Sequence, residues 1–173
     1  MHHNQGIRIA NAFYNNPKTP RYFLEFAEEL IKNGYKGIFI DEPTKQECWC
    51  EYCRNKYFTM FGKELDHNKE TEEISIFKRN NAMEYIQTIC DGVKRKHPDI
   101  KTIVCVMPFD KEYWSEIVKI ETLDDFGTDP YWLVTDIGFE RAIQDTVDVK
   151  RICVENKKAI SYLVKWMENQ SRR

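Results

Sequence analysis

The chain has 173 residues, of which 42% are hydrophobic and 31% are charged, and its formal net charge is −2. This is the composition of an ordinary globular domain with a sizeable core, and it excludes a largely disordered chain. The net charge is slightly negative, and the chain lacks the excess of Lys and Arg that binds phosphate backbones, so nucleic acid is not an expected partner.

Apolar runs and cysteine usage indicate the compartment. No run approaches the roughly 18 apolar residues that a membrane span needs. The first five residues lack the basic and apolar regions of a secretory signal. Three of the six cysteines crowd into residues 48–53, which does not fit the disulfide framework of a small secreted protein. We therefore expect a cytoplasmic protein with no membrane partner.

Hydrophobic periodicity predicts five strands that alternate with helices. The first strand is residues 7–13. A helix then follows Thr19, its expected N-cap, with Pro20 at its first position and Asn33-Gly34 as its stop. The second strand is residues 35–40. The remaining predicted elements are a long helix ending before His97, a strand at 100–107, a helix at 113–120, a strand at 122–126, a helix at 139–156 and a strand at 159–164.

This alternation predicts an α/β fold with a parallel sheet and right-handed crossovers. We predict a single domain over residues 1–173 with a Cys-rich insertion at 44–62, followed by a charged loop. About five parallel strands favour a partial (β/α)8 TIM barrel, since a full barrel takes roughly 250 residues. The alternative is an open doubly wound parallel sheet. The apolar strand 35–40 is expected to be central, between strands 7–13 and 100–107.

The sequence Cys48-Trp49-Cys50-Glu51-Tyr52-Cys53 has the spacing of a metal-thiolate knuckle. Zinc prefers such closely spaced thiolates, and thiolate-rich zinc sites are usually structural. We predict a structural zinc ion on Cys48, Cys50 and Cys53. The alternatives are three free thiols or a redox pair. The fourth ligand stays open; the candidates are Cys90, Cys105, Cys153, His67, His97, His2 and His3, or a water.

Acidic and aromatic residues gather at predicted strand ends, where ligands bind in parallel α/β folds. Asp41 and Glu42 follow the second strand, and a buried carboxyl there can act in acid–base chemistry. Asp129, Tyr131 and Trp132 follow the fourth strand. The two rings offer flat surfaces for a sugar, and Asp129 can hold a hydroxyl. The alternatives are a solvated acidic pair and a loop with aromatic packing.

One more acidic residue lies near the last strand. Glu168 follows that strand and is a candidate for a second carboxylate, although a glutamate near a chain end is more often solvated.

Residues 37–43, the C-x-C-x-x-C motif at 48–53, the Tyr-Phe and Phe-Gly pairs at 57–58 and 61–62, and residues 127–131 together resemble barrel proteins related to glycoside hydrolases. The cysteine motif after an acidic strand is similar to the structural zinc cluster of barrel β-galactosidases. The resemblance covers about residues 7–168 and corresponds to strands three to seven of a barrel.

The resemblance implies functional roles. Glu42 matches the acid/base carboxyl of retaining barrel glycosidases, and Glu168 is the available residue near the expected nucleophile position. Asp41 stands where the family usually has Asn. In the family the zinc cluster takes a fourth cysteine from an earlier loop, and this sequence has no cysteine before Cys48. The implied function is that of a glycoside hydrolase-like carbohydrate-active protein with Asp41, Asp129, Tyr131 and Trp132 as sugar contacts.

Two other functions fit the same residues. A non-catalytic carbohydrate-binding or assembly module would keep the aromatic loop and need no second carboxylate. A zinc-stabilised interaction domain would use the cysteine cluster as its partner surface. An incomplete barrel is also expected to pair with a copy of itself, because a homo-oligomer would cover its open sheet edges.

Overall fold

The computed structural model describes residues 13–107, 111–128 and 139–162. This part of the chain folds into five helices and a four-stranded sheet. In chain order the elements are α1 (Lys18–Lys32), β1 (Gly37–Asp41), α2 (Glu51–Phe61), α3 (Glu72–Lys96), β2 (Lys101–Val106), α4 (Lys111–Ile117), β3 (Asp125–Thr128), α5 (Phe139–Glu155) and β4 (Ala159–Tyr162).

The sheet is entirely parallel, and each described strand pairs with the next one in the chain, in the order β1-β2-β3-β4. Ile40 lies beside Val104, and Val104 lies beside Phe126. The α/β class predicted from the sequence is thereby confirmed. The parallel pairing of β1 with β2 is also confirmed, whereas the predicted strand 7–13 lies outside the described residues except for Phe13.

The helices cover one face of this sheet. Ile40, Val104, Val106 and Phe126 point into the main core, where they meet buried residues of α3, α4 and α5. Because neighbouring strand residues face opposite sides, Phe39, Asp41 and Ile103 lie on the other face. Alternation of burial along β1 follows directly, with Ile38 and Ile40 buried and Phe39 and Asp41 exposed.

Local chemistry sets the helix ends. α1 ends in a Schellman arrangement: Gly34 has a φ of +90°, its N–H donates to Ile31 O at 2.9 Å, and Tyr35 N donates to Leu30 O at 3.2 Å. α3 begins at Thr71, whose side chain accepts a hydrogen bond from Ile74 N. α1 begins earlier than predicted, at Lys18, because Asn16 Oδ1 accepts from Lys18 N and takes over the capping role expected of Thr19.

One further prediction is wrong in detail. The predicted strand 122–126 is instead Asp125–Thr128, because Thr102 N donates to Asp124 Oδ2, and Thr102 Oγ1 donates to Thr122 O. These contacts hold the residues before β3 in a turn. The Cys-rich segment 44–62 contains a helix that the sequence pattern did not predict: α2 begins directly after Cys50 and ends at Phe61, with Gly62 as its C-cap at a φ of +66°.

No helix within residues 13–107, 111–128 and 139–162 has both the length and the apolar composition needed to cross a bilayer.

Candidate metal centre

The three clustered cysteines meet at the start of α2. β1 leads into an extended loop that carries Cys48 and Cys50, and Cys53 lies in the first turn of the helix. The ligand atoms of the three side chains all lie within 4.8 Å of one another. Cys50 Sγ and Cys53 Sγ are 3.7 Å apart. Three close cysteines in this arrangement can bind a metal ion.

The spacing suits a tetrahedral thiolate site. Ligands about 2.3 Å from a tetrahedral zinc ion are separated from one another by about 3.8 Å, close to the Cys50–Cys53 distance. Cys48 and Cys53 are buried, and Cys50 is partly exposed. All three cysteines are free thiols, so none of them forms a disulfide.

The protein environment shifts the pKa values of the three thiols in different directions. Burial raises the pKa of Cys48 to about 12 and also raises the pKa of Cys53. Burial acts in the same direction on Cys50, but hydrogen bonds from the backbone N–H groups of Cys53 and Tyr52 and from the neighbouring thiols outweigh it and lower the pKa of Cys50. Cys50 sits at the N-cap of α2, where the helix dipole favours a thiolate. It is therefore the first of the three to ionise.

Aromatic and aliphatic side chains enclose the cluster. Cys48 and Cys53 belong to a small core that is separate from the main one and also contains Tyr57, Leu65, Ile74 and Phe77. The Tyr57 and Phe77 rings meet edge to face with centroids 5.1 Å apart. This core joins α2 to the first turns of α3, so the cluster holds one structural unit together.

A buried lysine fixes the loop over the cluster. Lys78 is only 4% exposed, and its ammonium contacts Glu47 Oε1 at 2.8 Å and Glu70 Oε2 at 2.6 Å. The same ammonium lies 4.9 Å from the centre of the Trp49 ring. Lys78 thus links α3 to the cysteine loop on one side and to the loop before α3 on the other.

An asparagine donates to the sulfur of Cys53. Asn15 Nδ2 lies 3.3 Å from Cys53 Sγ, while Asn15 Oδ1 accepts from Lys56 Nζ at 3.0 Å. The lysine therefore orients the amide so that its N–H groups face the sulfur. Such outer contacts commonly orient the ligands of a metal site.

The other candidate ligands lie elsewhere. Cys90 and Cys153 are buried in the main core, and Cys105 lies on β2 beside Asp41. His97 pairs with Glu28 at 3.0 Å. Within the described part of the chain, no further Cys, His, Asp or Glu joins the three cysteines. His67 lies in that part, whereas His2 and His3 lie outside it.

The predicted acid pair lies at the carboxyl end of β1. Asp41 is the last strand residue and sits beside Cys105 on the sheet face opposite the helices. Glu42 has a φ of +45°, a left-handed conformation that is unusual for a residue other than glycine. Its N–H donates to Cys105 O at 2.8 Å. The alternation of side chains along β1 therefore ends at Asp41.

The other predicted site residues lie outside the described residues. These are Asp129, Tyr131, Trp132 and Glu168. Their proximity to Glu42 stays a prediction.

The sequence did carry a signal for the residues that were missed. Ile74, Phe77, Lys78, Asn81, Ala82 and Tyr85 are all buried and follow the spacing of one helix face. Lys78 and Asn81 therefore stand at core positions of that stripe. A polar residue at such a position is buried and needs a partner, and in both cases the surroundings belong to the cysteine cluster.

Comparison with known protein families and with curated proteins found no match for this chain.

Proposed function

We propose that the chain is a zinc-stabilised, carbohydrate-active domain of the glycoside hydrolase-like barrel type. Cys48, Cys50 and Cys53 bind one structural zinc ion, and Glu42 is the general acid/base. The observation that carries the proposal is the left-handed backbone of Glu42 at the carboxyl end of a parallel strand, directly before the cysteine loop. Strained backbone of this kind concentrates at functional sites.

The sheet topology supports the barrel part of the proposal. A (β/α)8 barrel has parallel strands in chain order, with helices on the outer face only. The four described strands follow that order, and their buried contacts with helices lie on one face. In a barrel the opposite face, with Phe39, Asp41 and Ile103, would line the interior.

The zinc ion would act at a distance from the chemistry. It would fix the loop that begins at Glu42, because both ends of the loop are then held, one by β1 and the other by the thiolates. Thiolate ligands make the ion electron-rich, which suits a structural role.

In the proposed reaction Glu42 would donate its proton to the glycosidic oxygen as the bond to the leaving group breaks. In the second half of a retaining mechanism the same carboxylate would remove a proton from water. Glu168 is the candidate nucleophile. Asp41, Asp129, Tyr131 and Trp132 are the candidate sugar contacts, through hydroxyl hydrogen bonds and ring stacking.

A second candidate function is a non-catalytic carbohydrate-binding or zinc-stabilised interaction module. Three large apolar side chains of α2, namely Tyr52, Phe58 and Met60, are exposed. They lie on the unit that the cysteines organise, so a protein partner could bind there without any contribution from Glu42.

Hydrolysis of aryl glycosides by the zinc-loaded chain tests the proposal. Glu42→Gln should abolish turnover while leaving the zinc content and the thermal unfolding transition unchanged, because the swap preserves shape and removes the proton. Glu47→Gln is the matched control in the same loop, since the Glu47 side chain is 71% exposed, and it should retain turnover. Equal activity of the parent and Glu42→Gln proteins would defeat the assignment. A fully inactive parent that still binds sugars would favour the second candidate.

A further inference from the structure

A polar side chain is buried next to the cysteine cluster without a partner. Asn81 lies on the core-facing side of α3 and is 7% exposed. Its Oδ1 atom is fully buried and accepts no hydrogen bond within the described part of the chain. Leaving a buried amide oxygen unpaired is costly, so a native protein usually supplies a partner such as a bound water.

Asn81 lines a small cavity that also touches two of the metal-binding cysteines. Cys48, Cys53, Asn15 and Lys78 border the same space. Its volume is about 10 Å³, near the lower limit for holding one water molecule. The residues that border the cavity thus include both polar side chains and two cysteines.

The three cysteines leave one coordination position of a zinc ion unfilled. Zinc in proteins is usually four-coordinate, and no fourth Cys, His, Asp or Glu of the described residues joins the three thiolates. Water bound to a cation is a strong hydrogen-bond donor. The unpaired Asn81 oxygen is an acceptor, so the two groups complement each other.

We propose that the fourth zinc ligand is a water molecule that donates a hydrogen bond to Asn81 Oδ1. Asn81 acts as a positioning residue, because it touches the ligand and not the metal. The zinc site is therefore exchangeable at one position and accepts small neutral donors. This inference rests on the zinc ion proposed above.

X-ray absorption at the zinc edge of the full chain tests the ligand set directly. The expected spectrum has three sulfur scatterers at about 2.3 Å and one oxygen at about 2.0–2.2 Å, without the outer-shell scattering of an imidazole ring. A four-sulfur shell, or a shell with imidazole scattering, would overturn the water ligand and leave the zinc site standing. A chain that binds no zinc would overturn both proposals.

Cobalt substitution tests the role of Asn81. The visible d–d bands of the cobalt-loaded chain report the atoms that are bound to the metal. Asn81→Ala removes the acceptor of the bound water, so the oxygen is held less tightly and the d–d bands should shift from those of the parent.

Asn55→Ala is the matched control, because Asn55 is an exposed asparagine on α2; its d–d bands should equal those of the parent. Identical bands in Asn81→Ala and the parent would contradict the proposal. The absorption measurement on the parent decides the ligand set even if Asn81→Ala fails to fold.

Discussion

Two regions of the described part of the chain are built on different chemistry. One, here called the sheet layer, consists of the four strands with α1, α4, α5 and the rest of α3. The other, here called the cysteine cap, comprises residues 43–78. The sheet layer buries mainly isoleucine, valine and aromatic side chains against a parallel sheet, and its buried cysteines lie apart from one another. The cysteine cap instead brings three thiols together beside a few aromatic rings.

The two regions therefore depend on different sources of stability. Apolar burial stabilises a fold in proportion to the buried area, at about 25 cal/mol per Å², and the larger apolar core belongs to the sheet layer. The cap buries fewer apolar side chains, so under the proposed function the zinc ion supplies part of its stability. Stability of the cap should thus follow metal supply, whereas stability of the sheet layer should not.

Removal of one metal ligand should have the largest effect on the stability of the cap. Cys53→Ser should lose the metal and destabilise α2 by at least about 3 kcal/mol, because metal binding is coupled to folding at thiolate sites. Hydrogen exchange of the α2 amides and metal content per chain measure the two effects. Cys153→Ser is the matched control in the sheet layer, and it should keep its metal. Full metal content in Cys53→Ser would remove that residue from the ligand set.

A destabilising substitution in the sheet layer should lower the free energy of unfolding without loss of the metal. A Cβ at Gly127 would lie 1.8 Å from Ser161 O on β4, so Gly127→Ala must displace a strand. We expect a loss of about 2–3 kcal/mol in chemical denaturation with the metal still bound. Gly37→Ala is the control, since its Cβ would meet Lys101 Cβ at an ordinary 3.5 Å. Loss of metal in Gly127→Ala would show that the two regions unfold together.

Lys78→Met tests the link between the loops of the cap. The variant keeps the buried stem and removes the charge that joins Glu47 and Glu70, both of which are largely exposed. We expect a loss of about 1–2 kcal/mol and faster proteolysis in the cysteine loop. Lys63→Met, which removes an exposed pair with Glu73, should cost almost nothing. Equal protease resistance in the two variants would argue against a special role for Lys78.

Asp124 supplies a pH-dependent contribution to the sheet layer alone. Burial opposes its ionisation, but the Lys94 ammonium and the Thr102 N–H outweigh that effect and lower the pKa of Asp124. The stabilisation is therefore complete above the ordinary aspartate pKa of about 4 and disappears as the pH falls through the lowered value.

Asp124→Asn should cost about 1 kcal/mol at neutral pH, and the difference from the parent should shrink below about pH 4. Denaturant titrations at several pH values measure it, with the exposed Asp99→Asn as control. A difference that stays constant down to pH 2 would contradict the assignment.

The sequence predicted the sheet layer better than the cap. The apolar runs at 35–40 and 100–107 located β1 and β2 to within a few residues, although β1 is buried on one face only, with Phe39 exposed on the other. The start of β3 was misplaced because Asp124, adjacent to the strand, uses its side chain to pair with Thr102 N. The hydrophobic pattern of the sequence does not distinguish that side-chain contact from a backbone hydrogen bond between two strands.

The cap was predicted only in part. The spacing of Cys48, Cys50 and Cys53 indicated a metal cluster, and the sulfurs do lie together. The aromatic segment after Cys53 was not recognised as a helix because its apolar residues do not form a clean stripe. The positions of Lys78 and Asn81 beside the cluster depend on packing between distant segments, which local sequence does not encode.

Metal removal followed by hydrogen exchange tests the account most directly. The purified chain is first analysed for zinc, then exchanged with and without a chelator that removes the ion. We predict one zinc per chain, and much faster exchange of the α2 amides after chelation with β2 and β3 still protected. A chain that binds no metal, or an exchange pattern that chelation leaves unchanged in α2, would contradict the claim that a metal ion holds the cysteine cap.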